Sequence, residues 1–126
     1  MKWFDALSHC DDLSLDGGGW RLPTIAELRT LIRGCTGTVT GGACDVTDSC
    51  LAFSGCWTEA GCKSCPYNDG PADGCYWPDN MLGDCNWYWS KSPVENDDNT
   101  KWVVLFSYGS LDGYKASKDA LVRCVR

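Results

Sequence analysis

The chain has 126 residues, a length that fits one domain and allows a core burying well over half of the unfolded surface. Its net charge of −6 and pI near 4.5 set the overall field against nucleic acid and anionic membranes, although a local basic patch remains compatible with them. Ten cysteines beside a single histidine read as a disulfide framework, which persists only in oxidising places: the periplasm, the cell surface or outside the cell.

A metal reading competes poorly with bonded sulfur. Structural zinc wants four converging ligands, whereas the chain offers one CxxC pair at Cys62 and Cys65 and one imidazole at His9. No apolar run approaches the roughly 18 residues needed to cross a bilayer, and the start lacks a signal-peptide pattern. Since the cysteines require export, Met1 is expected to open a domain excised from a longer exported protein.

In chain order, residues from Lys2 to about Leu13 carry Phe4, Ala6, Leu7, Cys10 and Leu13 close to helical spacing, with Asp5, Ser8, His9, Asp11 and Asp12 mostly off that stripe. This predicts an amphipathic helix with one cysteine facing the core. Gly17-Gly18-Gly19 breaks the chain. A second helix opens at Pro23-Thr24, where the Thr24 hydroxyl can take the Glu27 amide while the Glu27 carboxylate returns the bond. Ile25, Leu28, Leu31 and Ile32 form its buried stripe, and Gly34 is the expected stop.

From Cys35 to Cys85 the pattern changes to glycine, turn pairs such as Asp73-Gly74, and eight cysteines with few aliphatics. Cys44, Cys50, Cys56 and Cys62 recur every six residues, too short for a solenoid repeat. A long irregular stretch of this kind needs covalent staples, although spacing alone selects no pairing.

The last third reads as strand. Trp87-Tyr88-Trp89 is a short aromatic segment, and Lys101 to Tyr108 places Trp102, Val104, Phe106 and Tyr108 on one face with Val103 and Leu105 on the other. Asp112-Gly113 then reads as a turn into a terminal strand over Ala120 to Arg126, paired antiparallel with its predecessor. Two N-terminal helices, a stapled loop region and a small antiparallel sheet make an α+β domain over residues 1–126.

The strings Gly-Trp-Arg-Leu-Pro-Thr-Ile-Ala-Glu-Leu-Arg at 19–29, Trp-Tyr-Trp-Ser-Lys-Ser at 87–92, Lys-Trp-Val-Val-Leu-Phe at 101–106 and the closing Val-Arg-Cys-Val-Arg resemble the Lcl C-terminal domain family nearly end to end. That family takes its name from a module of a collagen-like bacterial adhesin and is related to C-type lectin-like and formylglycine-generating-enzyme-like folds. The resemblance implies a C-type lectin-like fold in a bacterial surface or secreted module that binds glycan or protein. It also implies a disulfide between Cys10 on the first helix and Cys124 on the last strand, since lectin-like folds tie those positions.

Catalysis finds little support in the residues. His9 reads as an exposed helix residue, and the neighbours Asp11-Asp12 and Asp97-Asp98 read as solvated charge, because adjacent acids point apart where a glycosidase pair must face across a sugar. Formylglycine-type chemistry requires free thiols, and bonded sulfur is inert. Glu95-Asn96-Asp97-Asp98-Asn99 offers oxygen ligands of the kind Ca²⁺ takes but lacks the lectin triplets, so it reads as a solvated acidic turn and no cofactor is expected.

Seven tryptophans exceed ordinary usage, and Trp20, Trp89 and Trp102 read as structural. Ligand contacts are expected off the core pattern at the end of the sheet, from Tyr88, Asp97, Asp98, Asn99, Tyr108, Tyr114 and Lys115. A sulfated partner, which the collagen-like relative suggests, would want a basic face, so neutral glycan or protein is expected instead. The structural alternative is a module that caps or oligomerises a fibre, self-associating through the parent protein.

Overall fold

The structure, a computed structural model, describes residues 1–126. Helix α1 spans Trp3–Asp11 and α2 spans Ile25–Arg29; two short helical turns follow, α3 at Phe53–Cys56 and α4 at Glu59–Cys62. Three strands close the chain: β1 Trp87–Val94, β2 Asp97–Leu105 and β3 Ser110–Lys115, antiparallel in the order β1-β2-β3. The α+β architecture follows the expected sequence of helices, stapled loops and sheet.

α1 has a different buried face from the expected one. Trp3, Ala6 and Cys10 are buried, whereas Phe4 is 66% exposed. The helix begins at Trp3, and its indole Nε1 donates to the Ser90 carbonyl at 2.9 Å, which rotates Phe4 outward. The start of α2 matches its signals: Thr24 Oγ1 accepts from the Glu27 amide, and Glu27 Oε1 accepts from the Thr24 amide at 2.9 Å. Asp48 adds a second cap from the loop region, accepting from Thr24 Oγ1 and from the Ala26 amide. The helix ends at Arg29 with Thr30 as its C-cap, before the expected stop; Gly34, at φ +87°, a left-handed conformation that side chains resist, turns the chain after an irregular stretch. Ile25, Leu28 and Ile32 are buried, each contributing about 1.5–3 kcal/mol on transfer from water.

Both faces of the sheet are covered. One face packs Tyr88, Trp102, Val104, Phe106 and Leu111 against α2 and the cystine loops. The other packs Trp89 and Val103 against Trp3, Ala6 and Cys10 of α1 together with Leu22 and Ala120. Register slips between Trp89 and Pro93 give β1 extra residues over β2, and the bulge turns side chains to other uses. Ser90 Oγ donates to the Trp102 carbonyl at 2.6 Å, and Ser92 Oγ accepts the Ile25 amide, one of the donors the start of α2 leaves orphaned.

The strand assignments are corrected in four places. β1 runs past Trp89 to Val94. β2 starts at Asp97 and stops at Leu105, so that Tyr108 lies in the hairpin connection rather than on a strand. Asp112-Gly113 is inside β3, paired with Val103 and Trp102, and the true turn closes at Gly109, where φ is +63° and a Cβ would lie 2.9 Å from Tyr76 Cγ. The segment from Ala120 to Arg126 forms no ladder: Leu121 bonds to Trp87 and Trp89 of β1 in parallel, and Val125 bonds to Arg21.

All ten cysteines are bonded: Cys10–Cys124, Cys35–Cys65, Cys44–Cys62, Cys50–Cys56 and Cys75–Cys85. Three of them are concentric, Cys50–Cys56 inside Cys44–Cys62 inside Cys35–Cys65. Cys10 and Cys124 hold α1 to the C-terminal segment with Cα atoms 5.5 Å apart. Within the nest, the Arg29 guanidinium is buried and donates to the carbonyls of Thr38, Val39 and Val46 at 2.6–3.0 Å. Burial pulls its pKa down, and the charge of Asp45 partly offsets this.

Candidate functional site

The expected ligand residues separate into four places. Asp97, Asp98 and Asn99 open β2 and Lys115 ends β3, so these four share the end of the sheet next to the β1–β2 turn. Tyr108 lies at the opposite end, beside Tyr67. Tyr88 is a correction: it is 4% exposed and packs in the core, edge-on to Trp77 and Phe106. The alternation of β1 sends Tyr88 to the α2 side and Trp87 and Trp89 to the other, the reverse of the expected assignment of Tyr88 to the surface. Burial raises its phenol pKa, with Arg123 partly offsetting, and the hydroxyl donates to the Asp84 carbonyl at 2.7 Å.

The carboxylate of Asp97 is engaged within the chain. It accepts from Thr100 Oγ1 at 2.8 Å and from the Asn99 amide, and Lys115 Nζ lies 3.7 Å away. The Thr100 hydroxyl is the main cause of its lowered pKa, followed by the Asn99 amide and Lys115. This is an Asx turn, and nowhere do three or more His, Cys, Asp or Glu side chains converge as metal ligands. Formylglycine-type chemistry has no free thiol to use, since every sulfur is bonded.

Tyr114 has richer surroundings. Its ring stacks on Trp87 with centroids 5.1 Å apart and planes 17° from parallel; Trp89 lies 5.6 Å away, and Lys118 Nζ sits over the Tyr114 ring at 5.6 Å. Trp87 and Tyr114 are both partly exposed, and they line a groove of about 480 Å³ together with Asp84, Asn86, Asp119 and Leu121. The walls are rigid for identifiable reasons. Leu121 is bonded to the β1 edge; Asp84 and Asn86 flank Cys85, which Cys75 tethers; and the Tyr88 hydroxyl holds the Asp84 carbonyl. Asn86 Oδ1 accepts the Trp87 amide at 2.9 Å, leaving the two N–H donors of its side chain for other partners.

An aromatic platform with carboxylate and amide groups at its rim can bind a molecule that has both an apolar face and hydroxyl edges. Of the residues that line this groove, the sequence reading named Tyr114 and did not name Trp87, Asp84, Asn86 or Asp119. The strand alternation could have exposed Trp87, but nothing local marks the acids and the amide, which reach the groove through the Cys75–Cys85 loop and the C-terminal segment.

Five disulfides place the molecule in the class of disulfide-rich α+β modules of oxidising, extracytoplasmic compartments, and no helix is long and apolar enough to cross a membrane. The sequence matches the Lcl C-terminal domain family over residues 1–126, and the chain belongs to that family. No curated protein and no solved structure gives a significant match.

Proposed function

We propose that the protein is a non-enzymatic binding module, exposed at a bacterial surface or secreted, that takes a neutral glycan on the Trp87–Tyr114 platform. The stacked pair is the observation that carries this reading. A tryptophan left partly open and held flat by a second ring is a poor use of apolar area unless something else covers it, and a sugar ring presents a face that does so. Asp84, Asn86 and Asp119 then stand where hydroxyls would be read. The Asp84 carboxylate and the net charge of −6 oppose sulfated or uronic-acid-rich chains, whereas Asp119 lies 3.9 Å from both the Met1 ammonium and Lys2 Nζ.

The test is a glycan array probed with the oxidised protein and with Trp87→Ala. Binding to neutral glycans is expected, with at least a tenfold loss on removing the indole, since an aromatic contact is worth about 0.5–1.5 kcal/mol beyond the area it buries. An array signal that Trp87→Ala leaves intact, or one confined to sulfated chains, would overturn the proposal.

A further inference from the structure

A second groove, of about 530 Å³, adjoins the first. Asp84, Asn86 and Trp87 line both, so the two are continuous around the indole. Its far wall is made by Tyr67 and Tyr108, whose rings meet 5.2 Å apart although they come from segments distant in sequence. Both are exposed, Tyr67 at 64% and Tyr108 at 38%, and neither belongs to the core. A lone exposed tyrosine needs no explanation, but two brought together at the end of a polar groove do.

The pair is held rather than left mobile. The Asn68 amide donates to the Ser107 carbonyl at 2.7 Å, fixing the Tyr67 segment against the β2–β3 connection. Tyr76 reinforces the join, with its amide on the Phe106 carbonyl and its hydroxyl on the Pro66 carbonyl at 2.7 Å. Cys65 and Cys75, bonded to Cys35 and Cys85, bracket the segment. Such a surface loses little conformational freedom on binding.

The aromatic stations also fall in line. Trp87 and Tyr114 stack 5.1 Å apart and make one station; Trp87 pairs with Leu105 at the end of β2, and Tyr108 follows in the connection just beyond it. Two grooves of about 480 and 530 Å³ that meet at Trp87 give two aromatic stations where a single sugar ring would need one. We infer that the protein binds the interior of a linear, uncharged polysaccharide along one trough, with Tyr114 and Trp87 as one station and Tyr67 and Tyr108 as the next, rather than a terminal sugar in a single pocket. This rests on the glycan reading of the first groove and specifies its ligand as an extended chain.

Calorimetry with length ladders of neutral glucan, mannan and xylan oligosaccharides, from mono- to hexasaccharide, tests it. Affinity is expected to rise about tenfold or more between the disaccharide and the longer members and then level off. The double variant Tyr67→Ala/Tyr108→Ala should reduce long-chain affinity to that of the short ligands and leave short-ligand affinity unchanged; Trp87→Ala should weaken both. Affinity independent of length, or a double variant that binds long chains as well as the parent, overturns the trough while the Trp87 groove stands. If none of the ladders binds and the array result is negative as well, both readings fall. Far-UV circular dichroism of each variant separates lost contacts from lost fold.

Discussion

Glu27 does two jobs with one carboxylate. Oε1 accepts from Arg21 Nη1 at 2.6 Å and from the Thr24 amide, while Oε2 accepts from Arg21 Nη2 at 2.7 Å. These bonds favour the ionised form, and the pKa is lowered to about 2, mainly by the Arg21 hydrogen bonds. A carboxyl whose pKa is lower in the folded state stabilises the fold fully above its unfolded pKa and loses that stabilisation as pH falls through the folded value. Stability should therefore decline from about pH 5 toward pH 2, and Glu27→Gln, which keeps a side chain able to complete the cap, should be less stable at neutral pH and show a shallower decline. Urea midpoints measured across that range decide it, and parallel curves for the two proteins would contradict the assignment. Asp97 contributes a slope of the same sign in both proteins, so the difference between the curves belongs to Glu27.

Among the elements, β3 is the edge most open to pairing with another chain, and its outward groups are mostly occupied. Trp57 Nε1 donates to the Leu111 carbonyl at 2.7 Å, Asp112 Oδ1 accepts the Gly113 amide at 2.8 Å, and the Lys118 amide donates to the Lys115 carbonyl. Exposed Phe4 and Phe53 leave apolar surface for a fibre-capping or oligomerising role, but the blocked edge works against strand-to-strand assembly. Asp112→Ala should free the Gly113 amide, cost about 1 kcal/mol, and raise self-association with concentration in light scattering. A variant that stays as monomeric as its parent would show that the carboxylate does not guard the edge. The same residue explains a misreading. Asp-Gly is a strong turn signal, yet here Asp112 satisfies the glycine amide in mid-strand, and the chain reverses at Gly109 because Tyr76 and Cys35 crowd that position. The start and buried stripe of α2 were legible because the capping box and the apolar positions lie close together, whereas the helix ends at Arg29, before the Gly34 stop. The Trp87 groove was not, because its walls come from segments joined only by disulfides and isolated backbone bonds.

The disulfides of the whole molecule never cross. Cys35–Cys65, Cys44–Cys62 and Cys50–Cys56 are nested, Cys75–Cys85 stands beside them, and Cys10–Cys124 encloses all four. The six-residue cysteine rhythm is thereby explained as two concentric pairs about a common centre. Nesting also makes their contributions interdependent, because an inner bond shortens the free loop that an outer one must close. The outermost bond retains the longest free loop, with its cysteines 114 residues apart against 6 for the innermost. In the chain-entropy account, loops of these lengths are worth about 4.8 and about 2.2 kcal/mol, and nesting lowers the first figure more than the second. Cys10→Ala/Cys124→Ala should therefore lower the thermal midpoint more than Cys50→Ala/Cys56→Ala. The comparison is fair in packing, since each pair joins one buried cysteine to one partly exposed partner. Equal losses in the two variants would mean that local strain or packing sets the contribution of each bond. A larger loss from the inner pair would place the stability of the molecule in the cystine nest instead of in the tie between α1 and the C-terminal segment.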